Sequence, residues 1–255
     1  MILITSYYLE KNKSRADELR YCLQKNISNA QISKIVLLCE NELAQVDSDK
    51  LEEILINKRP KFSDFVRVAN RESENDVKII ANSDIYFDDT LKIAKDSLKK
   101  HEVYCLTRWD EEKGIIQFYN NFKSQDAWFF QGKLTENIGD YFMGLPGCDN
   151  RFAKELLDSG RRIENPSLTI RAIHVHGSNL RNYNKSADRV FGEYAYPLPI
   201  ELESRETQWG IRKQKDIRLR YLHRKWRNDL DGVSFSLMDR IMARFILILN
   251  KLDLT

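Results

Sequence analysis

Short apolar runs rich in β-formers alternate with helical patterns through the first half of the chain, and this alternation limits the folds open to it. Ile2 to Tyr8 reads as a strand. Ser14 to Ile27 reads as a helix, with Ala16, Leu19, Cys22, Leu23 and Ile27 on one face and Ser14 as N-cap. "ISKIVLLCE" (32–40) has the uninterrupted apolar character of a strand covered on both faces. "KLEEIL" (50–55) reads as a short helix, and "FSDFVRVANRE" (62–72) as another, with Phe62, Phe65, Val66 and Ala69 in register. "VKIIANSDIYF" (77–87) reads as one strand, Thr90 to about Lys100 as a helix, and "VYCLTRWD" (103–110) as the next strand. Strands joined by helical crossovers predict an α/β fold with a mainly parallel, doubly wound central sheet and flanking helices.

Beyond this point the pattern loosens. "IIQFYNN" and "AWFFQG" are short β-like pieces, "NRFAKELLDSG" (150–160) is a helix stopped at Gly160, and "SLTIRAIHVHGS" (167–178) is a last β-like stretch. After about residue 190 the composition shifts, which divides the chain into a domain over 1–190 and an extension over 191–255. A 255-residue chain with 42% hydrophobic residues has material for a sizeable core. A net charge of +3, from 41 basic and 38 acidic residues, argues against nucleic acid as the partner. Cys22, Cys39, Cys105 and Cys148 show no metal-knuckle or redox spacing, so a reduced, cytoplasmic setting is expected. The N-terminus reads as a first strand and not as a signal peptide, and no run reaches the ~18 apolar residues that span a bilayer.

In an open parallel sheet, ligands bind beyond the C-terminal strand ends. Three polar groups fall there: Thr5-Ser6-Tyr7, Asn82-Ser83-Asp84, and Thr107-Arg108-Trp109-Asp110. Asn82 and Asp84 alternate along the chain, so their oxygens could share Mg²⁺ or Mn²⁺ bridging a diphosphate; the same residue types also build a simple turn. His174 and His176 alternate on the last β-like stretch and run into a polar loop in which Arg181 offers a fork for phosphate. A strand histidine is often structural, but this loop favours a site. Asp149, after Gly144 and Gly147, is either an N-cap or a carboxylate that takes a proton from an attacking hydroxyl. Asp126 lies beside Trp128 and Phe129, a combination that suits a sugar ring and equally an ordinary core edge.

Together, "ANSDIYFDDTL", "LTRW", "SQDAWFF", "PGCDNRFAKEL" and "NPSLTIRAIHVHGSNLRNY" resemble GT-A fold glycosyltransferases, and more narrowly bacterial and viral sugar transferases that build surface polysaccharide. The resemblance covers roughly residues 1–185. It implies a sugar transfer from a nucleotide-diphosphate donor, with a UDP-sugar favoured, to a hydroxyl of a glycan or lipid-linked glycan. Asp84 would hold Mn²⁺ or Mg²⁺ with one of His174 and His176, while Asn82 departs from the usual Asp-x-Asp. Asp149 matches the acceptor-deprotonating position, with Asp126 its competitor. Thr5, Ser6, Tyr7, Arg59, Asn82, Ser83, Asp84 and Arg181 would bind the donor nucleotide, and Trp128 and Arg108 the acceptor. A non-catalytic nucleotide-sugar or glycan-binding module is the rival reading, since Asn82 weakens the metal motif. A nucleotidyltransferase would need a glycine-rich phosphate loop after the first strand, where this chain has "TSYYLEKNKS".

The tail carries eight Lys/Arg against one Asp between Arg212 and Arg227, then an amphipathic stripe from Met238 to Leu252. Residues 205–255 therefore suit either an anionic membrane surface, at the inner face of the plasma membrane, or a subunit contact within a homodimer.

Overall fold

The computed structural model describes residues 1–119, 121, 123–175 and 187–202. Its centre is a seven-stranded sheet built from β1 (Ile2–Tyr7), β2 (Lys34–Cys39), β3 (Leu51–Leu55), β4 (Lys78–Ala81), β6 (Glu102–Leu106), β9 (Ala127–Phe130) and β10 (Arg162–Glu164). The order across the sheet is β10-β6-β9-β4-β1-β2-β3, and every pairing is parallel except the two made by β9. A second sheet of four strands, ordered β5-β11-β7-β8, comprises β5 (Ile85–Phe87), β7 (Trp109–Glu112), β8 (Ile115–Phe118) and β11 (Ala172–Val175).

Both faces of the large sheet are buried, which explains why β1, β2 and β4 read as continuous apolar runs. On one side, α2 (Phe62–Ala69) and α4 (Cys148–Asp158) pack on Ile4, Val36, Ile80, Trp128 and Phe130. On the other, α1 (Lys13–Ser28) and α3 (Leu91–Ser97) cover Leu3, Ile35, Leu37, Ile79 and Phe129. Phe62 stacks on Phe152 at 4.4 Å between ring centroids, and both meet Trp128 edge-on, at 5.0 and 5.6 Å. Alternating strand residues thus feed two separate cores, and α4 is fastened to the sheet through aromatic rings.

The structure corrects several expectations. "KLEEIL" is not a helix but the edge strand β3, paired in parallel with β2; Lys34, at the start of β2, binds Glu52 at 2.6 Å. Six residues cannot repay helix nucleation, whereas one open edge of β2 supplies a hydrogen-bonding partner along the strand. The expected strand over 77–87 is two, because Asn82 to Asp84 form a turn closed by Ile85 N–H on the Asn82 carbonyl at 3.2 Å. The strand over 103–110 likewise splits at Thr107-Arg108 into β6 and β7. In both places the chain leaves the large sheet and enters the small one. The N-cap of α1 is Asn12 and not Ser14: its side chain accepts from Arg15 N–H at 3.1 Å. Residues 187–202 lie against the domain, with Ala195 N–H on the Asn150 carbonyl at 3.0 Å and Tyr194 and Tyr196 buried.

Candidate active site

The strand ends where the chain changes sheet open on a cleft of about 610 Å³. Ser6 reaches it from β1, Asn82 to Asp84 from the turn after β4, Arg108 from the crossing between β6 and β7, and His174 from β11. Asp126 and Trp128, two apart on the same face of the β9 ladder, form one wall with the first turn of α4. Gly147 begins that turn at φ +82, and a Cβ there would stand 3.1 Å from the Tyr194 hydroxyl, so the approach of the chain to Tyr194 requires glycine.

Ionic contacts alternate in sign along the cleft. Glu18 meets Arg15 Nη1 at 2.9 Å, and Arg15 Nη2 meets Asp84 Oδ2 at 2.6 Å. The same Asp84 oxygen lies 3.2 Å from His174 Nε2, whose Nδ1 is 3.1 Å from Asp110. Asp110 takes Arg108 Nε at 2.7 Å, and Arg108 Nη1 lies 3.6 Å from Asp126. Burial would keep the Asp84 carboxyl protonated, but His174 and Arg15 outweigh it and hold the group well below the usual carboxylate range. Burial likewise disfavours a charged imidazole, yet Asp84 and Asp110 raise His174 to about 9.

Asp149 stands differently. It lies in the first turn of α4, after the N-cap Gly147, so it is not the cap itself. Its carboxylate accepts from Gln125 N–H at 3.2 Å and from Asn150 N–H at 3.0 Å. Asp126 instead accepts from Asn82 Nδ2 at 2.9 Å and Ser124 Oγ at 3.1 Å, with Arg108 nearby. Burial, then the negative charge of Asp126, push the Asp149 carboxyl up to about 7. Both carboxylates are held by donors, and what sets Asp149 apart is its deeper burial beside the charge of Asp126.

The cleft brings together Ser6, Arg59, Asn82, Ser83, Asp84, Arg108, Asp126, Trp128, Asp149 and His174 from the expected set. Thr5 and Tyr7 do not line it: the Thr5 hydroxyl donates to the Ala81 carbonyl at 2.9 Å inside the sheet, and Tyr7 packs on the core side of β1. Asn82 and Asp84 do not converge on one point, because the turn sends Asn82 to Asp126 and Asp84 to Arg15 and His174. Arg59 Nη2 holds the Met143 carbonyl at 2.6 Å, so it anchors the loop before Gly147. His176 and Arg181 lie outside the described residues. Sequence reasoning missed Arg15, 69 positions from its partner Asp84. It also gave no role to Asp110, although Arg108 and Asp110 stand two apart in one strand-end polar group, or to Asn150.

Asp84 and His174 fit a divalent ion as two protein ligands. His174 is oriented through Nδ1 by a carboxylate, the arrangement that steadies a metal-bound imidazole, and Asp84 Oδ1 is buried without a hydrogen-bond partner. They do not form a complete set. Among the described residues no group of three His, Cys, Asp or Glu is placed to hold a metal, so further ligands would have to come from the donor and from water. Nor is any helix among the described residues long and apolar enough to cross a membrane.

No family model matches the chain, and no curated protein matches it. Solved structures do. S. aureus TarS in complex with UDP-GlcNAc superposes with a TM-score of 0.50 at 14% identity, over 75% of this chain and 62% of that one. A protein described as a nucleotide-diphospho-sugar transferase from Desulfovibrio desulfuricans gives 0.46 at 9% identity, over 64% of this chain and 78% of that one. Mannosyltransferase PcManGT from Pyrobaculum calidifontis, in complex with GDP-Man and Mn²⁺, gives 0.45 at 12% identity, over 92% and 65%. The chain thus spans less than two thirds of the S. aureus and Pyrobaculum structures. At such identities the likeness is one of architecture: the chain shares with the S. aureus structure a mixed α/β fold with a mainly parallel central sheet.

Proposed function

We propose that the chain is a glycosyltransferase that moves a sugar from a nucleotide-diphosphate donor, a UDP-sugar in the first instance, to a hydroxyl of a glycan or lipid-linked glycan in surface polysaccharide synthesis. The observation that carries this reading is the cleft at the strand ends, where Asp149 stands with the Asp84 turn and His174; burial and the charge of Asp126 raise the Asp149 carboxyl to about 7. A general base works best when its pKa lies near the operating pH. Asp149 takes the proton of the acceptor hydroxyl as that oxygen bonds the anomeric carbon, and the bond from that carbon to the diphosphate breaks with its electron pair on the leaving phosphate. Ser6, Ser83 and Arg59 belong to the donor side of the cleft, and Arg108 to the acceptor side; the Trp128 ring, expected there, is 1% exposed and packed on Phe62 and Phe152, so it serves the core. Asp84 and His174 would hold Mn²⁺ or Mg²⁺, which when bound neutralises charge on the diphosphate. The extension over 205–255 would keep the enzyme at the inner face of the plasma membrane beside its acceptor, or join two subunits.

The test has two stages. Thermal-shift measurements with nucleotide sugars, with and without Mn²⁺, identify a donor by stabilisation. Transfer assays on Asp149→Asn should then show loss of turnover with donor binding retained; normal turnover in that variant removes Asp149 as the base. The second reading, a binding module without turnover, draws on Asn82, which is engaged by Asp126 where an acid would strengthen a metal site. Donor stabilisation with no transfer to any glycan acceptor would favour it.

A further inference from the structure

Arg15 lines the cleft from the first turn of α1, with its fork divided between Glu18 and Asp84. Glu18 is itself buried and draws one arm of the guanidinium inward through Nη1, but that contact leaves Nη2 free to choose its partner, and Nη2 lies on Asp84 across the cleft. Its second nitrogen rests on the very oxygen that His174 Nε2 faces, while the other Asp84 oxygen has no partner. Asn82, which as an acid would double the charge here, is turned to Asp126. Asp84 Oδ2 is thus shared between the Arg15 guanidinium and the His174 ring, each of which has a second carboxylate partner, Glu18 and Asp110. A divalent ion and a guanidinium on one carboxylate would repel each other strongly in a site withdrawn from water.

We propose that Arg15 is a ligand of the donor's diphosphate, held on Asp84 until the donor arrives. Asp84 is then free for the ion, and Arg15 turns Nη2 to phosphate oxygens while Nη1 stays on Glu18. The movement exchanges one anionic partner for another, and the planar guanidinium matches phosphate as well as it matches carboxylate. The proposal rests on the reading of the cleft as a donor site, and goes beyond it by naming the side chain that trades carboxylate for phosphate.

Isothermal titration of wild type, Arg15→Gln and Arg15→Lys with UDP and GDP in the presence of Mn²⁺, and with Mn²⁺ alone, tests it. Arg15→Gln should bind the nucleoside diphosphate about tenfold more weakly, the scale of one charge-assisted hydrogen bond, and should bind Mn²⁺ alone more tightly because Asp84 is released. Arg15→Lys should recover part of the nucleotide affinity. Unchanged nucleotide binding, or unchanged Mn²⁺ binding, in Arg15→Gln would make Arg15 a fixed structural pin and overturn the proposal, with the donor reading intact. If wild type binds neither nucleotide, the donor reading falls and this proposal with it. Should Arg15→Gln fail to fold, Arg15→Lys decides by the nucleotide readout: it keeps the charge and loses the fork, so it should bind the nucleoside diphosphate more weakly than wild type, and wild-type nucleotide affinity would overturn the proposal.

Discussion

The Asp126 carboxylate, held by Asn82 and Ser124, adds its charge to the burial of Asp149 and keeps that neighbouring carboxyl protonated up to about pH 7. A base must be ionised to accept a proton, so kcat/KM should rise with pH through an apparent pKa near 7. Asp126→Asn removes the repelling charge and should move this acid limb to lower pH. Profiles of wild type and variant with the same donor and acceptor check both statements, and an unmoved limb would separate the two carboxyls.

Asp110 touches no reacting group in the proposed chemistry, yet it fixes the His174 ring through Nδ1 at 3.1 Å. Such a partner sets which imidazole nitrogen faces an ion. Asp110→Asn should therefore weaken Mn²⁺ binding about 10- to 100-fold. Mn²⁺ titration followed by electron paramagnetic resonance, at fixed UDP, reads the change without any assay of turnover.

Gly147 sets the start of α4 and hence the place of Asp149. Gly147→Ala meets both a positive φ and the Tyr194 ring at 3.1–3.3 Å. It should cost about 1–3 kcal/mol of stability and lower kcat, because the displaced turn carries Asp149 with it. Chemical denaturation and steady-state kinetics check the two halves separately.

Most of the large sheet was legible because burial on both faces leaves an unmistakable mark, as in "IVLLC" of β2. The small sheet was hidden. Its strands β5 and β7 continue runs that began in the large sheet, and no residue type signals that a chain changes sheet at Asn82 or Thr107. β3 reads as a helix because an edge strand with two adjacent glutamates, one exposed and one half-buried, shares its composition with a surface helix. β9, antiparallel between β4 and β6, could not be placed, since strand order is fixed by pairing and not by pattern. The site was partly legible for a related reason. Asp84, Asp149 and His174 stand next to turns or strand ends that single them out, whereas Arg15 looks like any basic residue on an amphipathic helix and acquires its meaning only from Asp84, 69 positions away.

Phe152 gives a way to separate the fold from the site. Its ring is fully buried, stacked on Phe62 at 4.4 Å and edge-on to Trp128, three residues beyond Asp149 on the same helix. Phe152→Ala should cost about 3–5 kcal/mol by opening a cavity under α4. Phe152→Leu keeps much of the volume and should cost less than half as much. If α4 positions Asp149 through this contact, kcat should fall in the order of lost stability, Ala below Leu below wild type, under conditions where all three remain folded by circular dichroism. The apparent pKa near 7 should fall as well in Phe152→Ala, because water reaching the cavity eases the burial that raises Asp149. A variant that loses stability while kcat and pKa stay put would show that the first turn of α4 is held without Phe152, by Gly147 and by the contacts of Asp149 with Gln125 and of Asn150 with Lys123 and Ala195.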